Sequence, residues 1–165
     1  MHNILFQELI NQEKSKQEII DSYKFFVRDE LRELQEARTV THAIKEACDV
    51  YIVCEPLIQR GDAIQVATHL SIQETMIDLV NGFDVPFLKA IRKVEESNAS
   101  KLILHNEIEE AEEYFINKGL ITEIKYLGES LYAAYSAIDM PNYPKGKLLK
   151  PHCYAKIDES KEWWS

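Results

Sequence analysis

A mainly α-helical fold is predicted for this chain: an antiparallel four-helix bundle with an appended short helix and β-hairpin. Three observations predict it. Apolar residues recur at spacings of three and four through long stretches of the first hundred residues. These stretches are joined by short polar turns, "RTVT", "RGD" and "NGFDVP", as expected of helices that fold back on one another. Beyond them the pattern changes to an acidic helix and then to alternation around Gly128.

From about Ser15 to Ala37, the residues Ile19, Ile20, Tyr23, Phe26, Val27, Leu31 and Leu34 form an amphipathic pattern that no Gly or Pro interrupts. A second helix is predicted from about Thr41 through Ile44, Ala47, Cys48, Tyr51 and Ile52. Pro56 is expected to end or kink it near Glu55, because proline lacks the N–H that the helix needs. In "RGD" Asp62 is placed to cap a third helix running through Ala63, Val66, Ala67, Leu70, Met76 and Leu79. A fourth is expected from Phe87 to about Leu104. "NEIEEAEEYFINKG" then reads as a short helix stopped by Gly119, and "LITEIKYLGESLYAAYSAID" as a hairpin. The tail "YPKGKLLKPHCYAKIDESKEWWS" has turn chemistry and no clear period, and neither repeats nor low-complexity linkers are evident. One domain, 1–165, is the expectation, with residues 15–101 as the helical bundle, 102–140 as the inserted helix and hairpin, and 141–165 as the tail.

Composition narrows the function. At 165 residues and 45% hydrophobic the chain can bury a core, while a formal charge of −9 argues against a nucleic-acid partner, which normally meets a basic surplus. No segment approaches the roughly 20 apolar residues that span a bilayer, and "MHNILFQELINQEK" lacks the features of a signal peptide. A cytoplasmic protein with no membrane partner is expected. Cys48, Cys54 and Cys153 form no CxxC pair, so neither a disulfide framework nor a zinc ribbon is indicated. His42, His69, His105 and His152 lack metal-ligand spacing and read as structural or surface groups.

Three short motifs carry chemistry. In "DELRELQEARTVTHAIKEACD", Glu30 with Glu33 and Glu46 with Asp49 are three apart, so on helices each pair projects from one face with Cβ atoms about 5–6 Å apart. Each pair is either a solvated acidic face, as the 28 acidic residues of the chain would allow, or half of a site for a hard cation such as Mg²⁺ or Mn²⁺. Glu46 and Asp49 lie among Ala43, Ile44, Ala47, Cys48, Val50 and Ile52, where carboxylates need a counter-charge. In "SNASK", Asn98 and Lys101 share a face and can meet a sugar or base edge and a phosphate, or form a plain polar turn. In "KGKLLK", Lys145, Lys147 and Lys150 on a flexible segment can close over an anion.

Taken together and in this order, the motifs resemble those of the all-α nucleoside triphosphate pyrophosphohydrolases, the MazG-like and phosphoribosyl-ATP pyrophosphohydrolase-like superfamily. Its hallmark is ExxE, a spacer of a dozen or more residues, and ExxD; here "ELRE" and "EACD" are separated by twelve residues. "GFDVPFLKAIRKVEESNASK" and "GKLLKPHCY" are similar to segments of the phage-type members, over roughly residues 15–155 in all. Lys93 stands where relatives often carry an acidic residue, and Cys153 where they often have Asn.

The resemblance implies that Glu30, Glu33, Glu46 and Asp49 ligate Mg²⁺, with Mn²⁺ as an alternative. It also implies that Asn98 and Lys101 contact the nucleotide, and that Lys147, Lys150 and Tyr154 contact it from a closing tail. The implied reaction converts a (d)NTP to the monophosphate and pyrophosphate, as nucleotide-pool control in the cytoplasm, which is the host's if the chain is phage-encoded. Glu33 is the candidate for accepting the proton of the attacking water, and a homodimer or homotetramer is the implied assembly. A ferritin-like redox bundle needs Glu-x-x-His, a spacing absent from the chain. The alternative is a non-catalytic interaction protein on the same bundle, for which Trp163 and Trp164 would supply contact surface.

Overall fold

The computed structural model describes residues 3–157 and 163–164, with the side chains of residues 3–5 excepted. The chain is mainly helical, with a small three-stranded antiparallel sheet, and divides into two compact units. One comprises residues 13–94 and 157–165, the other residues 1–12 and 95–156.

In the first unit, α2 (Lys16–Glu36) starts at a capping box: Ser15 Oγ accepts from Glu18 N, and Ser15 N donates to the Glu18 carboxylate at 2.6 Å. Thr39 caps α3 (Val40–Arg60), and Asp62 with Gln65 forms a second capping box on α4 (Ala63–Gly82). α3 packs against both α2 and α4, over connections of three and two residues. Its buried Ile44, Ala47, Cys48, Val50 and Leu57 meet Ile20, Tyr23 and Val27 of α2 and Met76 and Val80 of α4. Phe87, Ala90, Ile91 and Val94, from the start of α5 (Phe87–Ala99), complete the core.

Of the two outcomes expected at Pro56, a stop or a kink, the stop does not occur, and α3 continues to Arg60. Burial of Pro56 and Leu57 offsets the missing N–H, whose cost is about 3 kcal/mol. α5 stops at Ala99 rather than near Leu104, because Ile103 and Leu104 are drawn into the sheet as β1. Gly61 makes the α3–α4 turn possible: a Cβ there would stand 2.5 Å from the Leu57 carbonyl oxygen and 2.6 Å from Gln65 Cβ. Gly61→Ala is therefore expected to lower stability by about 1–3 kcal/mol, read as a drop in Tm with unchanged helical signal.

The second unit contains α1 (Asn3–Asn11), the end of α5, β1 (Ile103–Leu104), a short 3₁₀ turn, α6 (Ile108–Asn117), β2 (Thr122–Gly128) and β3 (Leu131–Ser136). The strands run in the order β1-β3-β2, so the expected hairpin is two thirds of the sheet, and β1 is the strand too short to show a period. Just beyond the C-cap of α6, Lys118, stands Gly119, whose φ of 72° is the left-handed conformation that suits glycine. Ile103 and Ala134 pack with Ala111 and Phe115 of α6, while Phe6 of α1 packs with Leu102, Leu127 and Ala133. The lysine-rich tail, expected to be flexible, is hydrogen-bonded along β3: Leu149 N donates to Ala134 O at 2.8 Å and Ser136 N to Lys147 O at 2.9 Å.

Candidate functional site

The acidic pairs sit where α2 and α3 pack. One carboxylate oxygen from each of Glu30, Glu33 and Glu46 falls within 4.8 Å of the others. Glu46 is only 2% exposed, and while its Oε1 is contacted at 2.9 Å by His42 Nε2 and at 3.0 Å by Lys45 Nζ, its Oε2 is buried with no hydrogen-bond partner among the described residues. Asp49 stands outside the trio, with its Oδ2 accepting from Lys45 Nζ at 2.8 Å. The counter-charge that the apolar setting of Glu46 and Asp49 demanded thus comes from their own helix.

Crowding of like charge shows in the titration. Burial, then the charges of Asp49, Glu33 and Glu46, push the Glu30 carboxyl up to about 8, against the opposing pull of Lys45. Glu33 is also raised, by burial first and by Glu46 and Asp29 next. Burial works against the charged form of Lys45, but Asp49 and Glu46 outweigh it and hold its pKa above the ordinary lysine value.

Beside Glu33 lies an open concavity of about 630 Å³ lined also by Arg32, Glu36, Arg38 and His42. Arg32 is braced by Asp29 at 2.7 Å and Glu36 at 3.1 Å. Neither Lys45 nor His42 was marked by motif reading, yet both signals were present: each stands four residues before the carboxylate it grips, the helical spacing for ion pairs.

In the second unit, "SNASK" and the tail are stitched together. Ser97 Oγ donates to Ala155 O at 2.8 Å and lies 3.3 Å from the Tyr154 hydroxyl, and Ala155 N donates to Ser100 Oγ at 2.8 Å. Cys153 reaches the carbonyl oxygens of Ser100 and Leu102 at 3.7 Å. Lys101 Nζ donates to Asn98 Oδ1 at 2.8 Å, and Lys150 Nζ sits 5.0 Å from the centre of the Tyr154 ring. Asn98 and Lys101 thus form one pair beside the serines that meet Tyr154 and Ala155, and Lys150 and Tyr154 form another. Lys147 does not join them; it donates to Asn142 O at 3.1 Å and stands over the Tyr143 ring.

Of the terminal tryptophans, Trp163 is fully buried in the first unit's core and donates to Thr41 O at 3.2 Å. Trp164 donates to Phe83 O at 3.0 Å and keeps half its surface. Most of the contact surface that the pair promised is thus spent within the unit. No helix among the described residues is long and apolar enough to cross a membrane. No protein-family model, curated protein or solved structure matches the chain.

Proposed function

We propose that this protein is a metal-dependent nucleoside triphosphate pyrophosphohydrolase that cleaves (d)NTP to (d)NMP and pyrophosphate in cytoplasmic nucleotide-pool control. The observation that carries the reading is the unpartnered, buried Oε2 of Glu46 within a trio of converging carboxylates. A buried acceptor with no donor costs about 1–3 kcal/mol, more for a charged group, and a cation is the partner that would relieve it. The donor set is all carboxylate oxygen, which suits Mg²⁺ or Mn²⁺ over softer ions. The order of ExxE, ExxD, SNxSK and GKxLK motifs supports the same reading through the family resemblance. So does the succession α2, α3, α4 and the start of α5 around one core, which we read as the antiparallel four-helix bundle of that superfamily.

In this reading Glu30, Glu33, Glu46 and Asp49 hold the ion. When bound it would lower the pKa of a water and offset phosphate charge. Water adds to the α-phosphorus, the bond to the α–β bridging oxygen breaks, and pyrophosphate leaves. Glu33, made more basic by burial and by Glu46, accepts the water's proton. Lys101, Lys147 and Lys150 offset charge on the β and γ phosphates, while Asn98 and Tyr154 contact the nucleoside. We assign a homodimer or homotetramer to the active form, supported by Phe25 on α2, which is 63% exposed.

The test is pyrophosphate release from a panel of ribo- and deoxyribonucleoside triphosphates, with Mg²⁺, with Mn²⁺ and with chelator. Release from at least one nucleotide that chelator abolishes is expected; no release from any would overturn the assignment and favour the interaction protein.

A further inference from the structure

Lys45 occupies an unusual position. It precedes Glu46 by one residue and Asp49 by four, so on α3 its side chain reaches both carboxylates, at 3.0 Å and 2.8 Å, with only 26% of that side chain exposed. Two consequences follow from the geometry. Asp49 is tied to the ammonium through Oδ2 while the other three carboxylates converge within 4.8 Å of one another without it. Glu46 Oε1 meets both Lys45 Nζ and His42 Nε2, while Oε2 meets no partner among the described residues.

From this arrangement we infer that Lys45 is a tethered counter-cation that neutralises Glu46 and Asp49 in place of a divalent ion and competes with that ion for them, setting the metal affinity of the site. The inference rests on the metal-centre reading above and adds its control. An ammonium carries three donors and one positive charge, and here two donors are committed to α3 carboxylates. Asp49 gives Oδ2 and Glu46 gives Oε1 to the ammonium, so an ion that draws on either of these oxygens must displace Lys45 from it. A positive charge a few ångströms from a divalent ion also repels it through a partly buried medium, where screening is weak. The other groups facing the site do not substitute for Lys45. His42 contacts only Oε1 of Glu46, 41% of its side chain is exposed, and its charge depends on protonation. On α2, Arg32 is taken up by Asp29 and Glu36 and reaches Glu33 only at 3.9 Å.

The test is Mn²⁺ binding to the full chain, followed by calorimetry and by the electron paramagnetic resonance signal of unbound Mn²⁺, for wild type, Lys45→Gln, Lys45→Arg and Glu46→Gln. Lys45→Gln is expected to bind Mn²⁺ about tenfold more tightly or better, and Lys45→Arg, which keeps the charge, to stay within about threefold of wild type. Unchanged or weaker binding by Lys45→Gln, with binding lost in Glu46→Gln, would overturn the role of Lys45 and leave the metal centre standing. Absence of Mn²⁺ binding in wild type, or binding indifferent to Glu46→Gln, would overturn both. Because Lys45→Gln removes the ammonium paired with Glu46 and Asp49 and can fail to fold, the wild-type protein supplies a second readout. Saturation with diamagnetic Mg²⁺ is expected to shift the Lys45 side-chain Cε and Nζ resonances as the ammonium is displaced. Resonances that do not move while Mg²⁺ binds would overturn the inference.

Discussion

Glu46→Gln is expected to abolish metal-dependent pyrophosphate release and to weaken Mn²⁺ binding by more than about 100-fold, beyond the 10–100-fold typical of losing an outer partner of a ligand. The physical reason lies in what Gln preserves and what it removes. It is isosteric, so a carbonyl oxygen can still accept from Lys45 Nζ and His42 Nε2 where Oε1 does now. The unpartnered buried oxygen and its negative charge disappear, replaced by an amide that either presents a donor to Glu30 and Glu33 or turns away. The helical circular dichroism signal is therefore expected to persist while binding is lost. Asp49→Asn is expected to abolish turnover as well, because the carboxylate that completes the set is gone. Normal turnover in either variant would refute the assignment of these residues.

A second large effect is expected from pH. The Glu30 carboxyl titrates near 8 in the folded protein against an ordinary value of 4.5. A folded-state pKa above the unfolded one means that the folded state holds the proton more tightly. The associated stability is fully present below about pH 4.5 and is lost as pH rises through about 8. With each pKa unit worth about 1.4 kcal/mol, the loss amounts to a few kcal/mol. The Tm of chelator-treated protein is expected to fall between pH 5 and pH 8, and Glu30→Gln, which mimics the protonated form, to flatten that fall and raise the Tm at pH 8. Divalent metal should oppose the fall in the wild type, since it stabilises the ionised carboxylates, and its binding at pH 7 should release a proton measurable in weakly buffered solution. A Tm independent of pH over this range in the metal-free wild type would contradict the crowding of charge on which the site depends.

How far the site was legible in the sequence depends on the distance over which each feature is determined. Glu30 with Glu33, and Glu46 with Asp49, were readable as pairs because helical spacing alone places them on one face. That Glu46 among apolar neighbours needs a counter-charge was readable too. That Lys45 supplies it was latent in the i, i+4 spacing to Asp49 but competed with many other acid–base pairs on a chain with 28 acidic residues. The gathering of Glu30, Glu33 and Glu46 depends on the rotation of α2 against α3, which no local spacing specifies. The stitching of Ser97 and Ser100 to Ala155 spans more than fifty residues and was invisible for the same reason.

The fold divides along the same line. Helices α2, α3 and α4 followed from long apolar periods and, for α4, from the capping residue Asp62, because helix formation is settled by hydrogen bonds between near neighbours. The continuation of α3 through Pro56, the capture of Ile103 and Leu104 by β3, and the pinning of the lysine-rich tail to the same strand were decided by burial and by partners remote in the chain. By itself the sequence determined where the charges and helices lie along the chain. Only tertiary packing decided which carboxylates meet, because that depends on how two separately formed surfaces are rotated against each other.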